Sequence, residues 1–254
     1  MGRCVVKLLA AALCGSLLFA GPLTIYTEIS PPDQFLGSDG QPTGYSCEVV
    51  REIQRRIGNT DPIKVVPWIR GYHKIQERPN VVLFSMARSK DRDPLFQWVG
   101  PIRETVYNFY ARADSGIVIE SLEDAKKLKL IGVYREDSRD QYLSKLGFTN
   151  LDRSIDNLTI LKKLMDGRID CMIGAATNIG PNVKAAGFKQ EQVREVYSFL
   201  KVQLYIAFSK ATPAATVELW DRTLHTMRQD GSFERIFHLY FPDAALPGPA
   251  LKPY

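Results

Sequence analysis

The chain has 254 residues, 45% hydrophobic and 24% charged, an ordinary globular composition with room for one large domain or two of about 100 residues each. Its net charge of +5 is too mild to argue for nucleic acid, and no basic block with interleaved aromatics accompanies it. His73, His225 and His238 are scattered and no Cys-x-x-Cys occurs, so neither a metal nor a cofactor is expected.

Residues 1–20 read as a signal peptide. Arg3 and Lys7 supply the positive start, and residues 8–20 form an apolar run too short to span a bilayer comfortably. The mature chain is expected to begin near Gly21 and to be exported. Residues 23–27 alternate as a strand, and the turn Glu28-Ile29-Ser30-Pro31-Pro32 stops it, because prolines cannot continue a ladder. Tyr26 and Glu28 therefore stand at a strand end, where Glu28 reads equally as an exposed turn carboxylate or a cleft group.

Ser46 is expected to cap a helix over residues 47–57, in which Val49, Val50, Ile53 and Ile57 give one buried stripe. A second strand covers 63–66, and the run Pro67-Trp68-Ile69-Arg70-Gly71-Tyr72 follows at its carboxyl end. A third strand, 81–84, has the length and β-branching of one buried on both faces. Ser85, Arg88, Ser89 and Arg92 come directly after it, where open α/β sheets put their ligands. A guanidinium fork matches a carboxylate, although by composition alone residues 88–93 read as a solvated loop of mixed charge. Strand, helix and strand in this order imply a parallel sheet covered by helices. Downstream the pattern predicts strands over 106–111, 130–134, 169–173 and 204–208. Helices are expected over 121–127, 138–146, 157–166, 212–230 and 232–239, and residues 242–254 form a Pro-rich tail expected to be disordered.

The turn Ser89-Lys90-Asp91-Arg92, the step Trp98-Val99-Gly100-Pro101, and the downstream Met227-Arg228-Gln229-Asp230-Gly231-Ser232-Phe233 leading to Tyr240-Phe241 resemble motifs of the bacterial extracellular solute-binding proteins of family 3, the polar amino-acid binders of ABC importers. The resemblance puts Arg92 on the arginine that grips a ligand carboxylate, Ser85 on a cleft hydroxyl and Glu28 on an acidic cleft position. A subset of the family carries a run similar to residues 67–72, so Trp68 would stack on the ligand and Arg70 would bind a second acidic group. By themselves these two residues equally suit a core tryptophan and a surface cation. Arg88 and Tyr26 complete the candidate set. The turn at 135–138 stands where the family binds a carboxylate through a hydroxyl and backbone N–H groups at a helix start; Ser138 keeps the hydroxyl, whereas Glu136 and Asp137 add negative charge. The chief departure is Ala175, which falls on the aspartate that binds an α-amino group and carries no charge.

The resemblance implies an α/β, periplasmic-binding-protein-like fold of type II, with two α/β lobes joined by a two-strand hinge. The first lobe would comprise residues 21–106 and 203–241 and the second 107–202, with 242–254 as the tail. Cys47 and Cys171 then lie in different lobes and are expected to be free, buried thiols. The implied function is capture of an amino acid or other small carboxylate in the interlobe cleft, in a periplasmic monomer that delivers its cargo to an ABC permease. Two alternatives share the fold: an enzyme similar to cyclohexadienyl dehydratases, with Glu28 as general acid, and a sensor ligand-binding domain.

Overall fold

The computed structural model describes residues 21–254, so the expected signal peptide lies outside the described residues. The chain begins with β1 (Thr24–Thr27), a short hairpin of β2 (Phe35–Leu36) and β3 (Pro42–Thr43), α1 (Tyr45–Ile57), β4 (Ile63–Val65), α2 (Trp68–Glu77) and β5 (Val81–Ala87). The long strand β6 (Phe96–Arg112) then crosses into a second set comprising α3 (Leu122–Lys126), β7 (Ile131–Tyr134), α4 (Ser138–Lys145), β8 (Leu151–Ser154), α5 (Asn157–Met165), β9 (Cys171–Ala175) and α6 (Ile179–Ala185). An equally long strand, β10 (Val193–Ser209), returns the chain to α7 (Ala214–Gln229) and α8 (Ser232–Tyr240).

Eight strands form one sheet in the order β4-β1-β5-β10-β6-β9-β7-β8. On one side β4, β1 and β5 are parallel, and on the other β8, β7 and β9 are parallel. Between them β6 and β10 run antiparallel to each other, from Arg112 opposite Val193 to Phe96 opposite Ser209. Each half has the same logic: its first strand in sequence lies in the middle, the second outside, the third inside, and the two long strands complete it. The result is two α/β lobes joined by two crossing strands, with the carboxyl ends of both parallel triplets available to one cleft.

In the first lobe, Cys47, Val49, Val50 and Ile53 of α1 pack against Trp220, Leu224, Phe233 and Phe237 of α7 and α8, all buried. In the second, Phe109, Ile131, Val133, Leu143, Cys171 and Ile173 make the corresponding core. Cys47 and Cys171 are free and buried, and burial pushes both thiols up to about 12.

The β2–β3 hairpin, β8 and α6 have no counterpart among the predicted elements, β5 runs on to Ala87 so that Ser85 lies within it rather than after it, and the sequence patterns and the structure differ at four further places. α1 begins at Tyr45 with no side-chain cap, because Gly44 precedes it at φ 108, where a Cβ would lie 2.8 Å from the carbonyl oxygens of Pro32 and Asp33. Ser46 is therefore inside the first turn and bonds Ser85 instead. The run after β4, to which no element was assigned from the sequence, is the start of α2, whose buried Trp68, Tyr72 and Ile75 recur at helical spacing. β6 and β10 extend far beyond the predicted strands, because their middle stretches carry charged and polar residues that break the apolar pattern. Residues 242–254 contain no helix or strand, yet they are hydrogen-bonded to Gln203 and Lys90.

Candidate functional site

The carboxyl ends of the parallel strands supply the walls of a cavity of about 570 Å³, counting its opening to solvent. Glu28 follows β1, Trp68 opens α2 after β4, and Ser85 and Ala87 end β5; Ser138 follows β7, Asn157 opens α5 after β8, and Ala175 ends β9.

Arg92 reaches this cavity from the turn after β5 and is 1% exposed. Its Nε donates to Gln141 Oε1 at 3.0 Å, and its Nη atoms donate to the Ala87 and Glu136 carbonyls at 3.4 and 3.3 Å. The guanidinium lies 5.1 Å from the Trp68 ring centroid and 4.8 Å from that of Tyr72, and these two rings stack on each other at 5.4 Å. All its hydrogen-bond partners are neutral and no carboxylate pairs with it among the described residues, although Glu28 on the same cavity feels its charge. Trp68 thus serves both the core and the cavity wall, with its indole N–H donating to the Glu136 carbonyl across the cleft at 3.1 Å.

Ser85 has φ 61, left-handed backbone at the irregularity where β5 pairs with β10. That bulge turns its hydroxyl to Gln34 Oε1 and Ser46 Oγ, both at 2.9 Å. Glu28 lines the cavity with Oε2 enclosed and without a hydrogen-bond partner. Burial raises its carboxyl to about 7, opposed by the neighbouring Tyr134 hydroxyl and by Arg139.

The second lobe meets these residues with charges that cancel locally. Asp137 caps α4 by accepting from the Arg139 and Asp140 amides and also pairs with the Arg139 guanidinium. Ser138 hydrogen-bonds the Tyr107 hydroxyl at 2.8 Å. Asn178, at the start of α6, reaches back to the first lobe, donating to the Pro31 carbonyl at 2.9 Å and to Asp33 Oδ2 at 3.0 Å. Asp33 in turn pairs with Arg103 Nε at 3.3 Å, with both side chains buried. Burial raises the Asp33 carboxyl, and Arg103 and Asn178 oppose the rise.

Of the residues singled out from sequence, Arg92, Ser85, Ser138, Trp68 and Glu28 come together at this cavity. Three do not. Arg88 is bound to Asp93 at 2.6 Å and lies over Trp98 and Tyr205, Arg70 is exposed on α2, and Tyr26 is half-buried against the apolar cluster around α2. Sequence reasoning missed Asp33, Tyr107, Arg139 and Asn178. Tyr107 lay within a recognised strand and Arg139 within a recognised helix, but neither carries a local motif.

Two lobes, a two-strand hinge and a polar cavity between them define a solute-binding architecture of the type II, periplasmic-binding-protein-like kind. The chain belongs to the bacterial extracellular solute-binding proteins, family 3, whose profile matches residues 23–243. It is 23% identical over 214 residues to a probable histidine-binding protein of Neisseria gonorrhoeae, covering 83% of this chain and 79% of that one. Its fold matches a histidine kinase sensor domain with similarity to periplasmic binding proteins, with a TM-score of 0.80, 20% identity and coverage of 89% and 99% of the two chains. It also matches a mutant ArgBP from T. maritima, with a TM-score of 0.77, 18% identity and coverage of 88% and 96%. No helix among the described residues is long and apolar enough to cross a membrane.

Proposed function

We propose that this protein is exported, captures an amino acid or another small carboxylate in the interlobe cavity, and delivers it to an ABC permease. The observation that carries the reading is Arg92: a buried guanidinium on the cavity wall whose hydrogen bonds go only to neutral acceptors. A ligand carboxylate completes that charge balance, and a charge-assisted contact there is stronger than a neutral one. Ser85 and Ser138 add hydroxyl donors from opposite lobes, and Trp68 packs against the ligand body. The Ala175 side chain offers no carboxylate for an amine, so the enclosed Oε2 of Glu28 takes that place or reads the ligand's far end. A ligand touching both walls favours the closed lobes through its differential contacts.

A thermal-shift screen of the mature protein across amino acids and small carboxylates tests this, because a ligand that binds only the native state raises its stability. A rise for at least one carboxylate, absent in Arg92→Ala, is expected; no response from any carboxylate contradicts the reading. A second reading draws on Glu28, whose carboxyl is held at about 7 by burial, a value suited to a general acid near neutral pH. An enzyme similar to cyclohexadienyl dehydratases would turn over prephenate, whereas a binder releases its ligand unchanged.

A further inference from the structure

We propose that residues 242–254 form a strap that holds the two lobes closed, whether or not the cleft is filled, with Tyr254 as its anchor. The segment leaves α8 in the first lobe, where Phe241 and Ala244 pack against the apolar core. It then runs along the crossing strands. Gln203 of β10 donates to the Pro249 carbonyl at 2.9 Å and accepts from the Leu251 amide at 2.8 Å. One side chain thereby fixes the strap's course at the hinge.

The far end spans the two lobes. The backbone oxygen of Tyr254 accepts from the Lys90 amide at 2.8 Å, in the first-lobe turn that carries Arg92. Its ring meets Tyr142 of α4 edge-on at 5.7 Å and packs on the second-lobe core. The phenol oxygen is enclosed beside Ser138, and burial raises its pKa. Tyr254 is not among the residues that line the cavity, and its phenol lies against Ser138 and within the fields of Tyr107, Arg92 and Asp137, which do line it. Opening the hinge must separate Lys90 from Tyr142, so one end of Tyr254 has to let go. Any free energy those contacts supply is therefore lost on opening, which biases the lobes toward closure.

The test uses two variants of the ligand-free mature protein, so it stands apart from the ligand proposed above: one ending after Asp243, and Tyr254→Ala with the rest of the strap in place. Small-angle scattering reads lobe opening as a larger radius of gyration, and hydrogen exchange reads protection of the Lys90 amide. Both variants are expected to expand, lose that protection and shift the closed-to-open ratio by about tenfold toward open. An unchanged radius of gyration in folded Tyr254→Ala overturns the proposal, and that variant decides the matter if the shortened chain does not fold. A more compact shortened chain overturns it as well, because the segment would then be wedging the lobes apart.

Discussion

Each wall of the cavity carries an acid–arginine pair, Asp33–Arg103 on the first-lobe side and Asp137–Arg139 on the second, but only the first adds an arginine, Arg92, that no carboxylate pairs with among the described residues. Arg92 leaves that wall with a cation to neutralise, whereas the second wall offers hydroxyls, an amide and a pair already balanced. On the function proposed above, the first lobe holds the ligand's charge and the second reads closure by hydrogen bonds.

That contrast can be broken from either side. The largest expected effect is on folding: Arg103→Met leaves Asp33 buried with only Asn178 as partner, and removing one member of a buried pair costs about 3–5 kcal/mol. Urea unfolding should show a loss of that size, and a loss below about 1 kcal/mol would mean that water reaches Asp33.

Next comes Glu28. Burial pushes its carboxyl up to about 7 from an ordinary 4.5, so the folded chain holds more protons across that window and stability falls as pH rises through it. Glu28→Gln should therefore be more stable than the parent by up to about 3 kcal/mol at about pH 8, and nearly equal to it at about pH 4. Unfolding at both pH values checks this, and an equal gain at both contradicts burial as the cause.

A smaller effect belongs to the second wall. Asn178→Ala removes the amide that bridges to Pro31 and Asp33, worth about 1 kcal/mol net, or roughly fivefold in ligand affinity. Calorimetry should find the loss in affinity; unchanged binding would mean closure does not use this bridge. Arg70→Ala sharpens the comparison by doing least. Exposed on α2 away from the cavity, it should leave affinity within about twofold of the parent.

The same asymmetry governed what could be read from the sequence. Ser85 and Arg92 could be placed because they lie within a few positions of one strand end, which shows as an apolar run broken by polar residues, but it was the family resemblance, not composition, that gave Arg92 its role, and Asp33 of the same lobe was missed. Trp68 was visible at a strand end in the same way, although the helix it opens was not, since Gly71 and the charged positions hid a spacing that only burial makes plain. The second wall, apart from Ser138, which the resemblance marked, is assembled from residues far apart in the chain: Tyr107 on β6, Arg139 on α4 and Asn178 just before α6. No local pattern ties such residues together. The tail was misread because composition records its prolines but not the Gln203 side chain that receives them.

On the proposed function, Arg92, the cavity-wall arginine with no acidic partner among the described residues, takes the ligand's carboxylate. Calorimetry with the carboxylate giving the largest thermal shift tests it most directly, comparing the parent with Arg92→Ala, Arg92→Lys and the paired change Asp137→Asn with Arg139→Met. Truncating one partner of a buried charge-assisted contact costs about 2–5 kcal/mol, so Arg92→Ala should lose roughly 30-fold or more in affinity. Lysine should recover only part of it, since a point charge cannot reproduce the fork, and the paired change should stay within about threefold because it removes a pair already balanced. Affinity unchanged in Arg92→Ala, or a loss in the paired change as large as that in Arg92→Ala, would contradict the account.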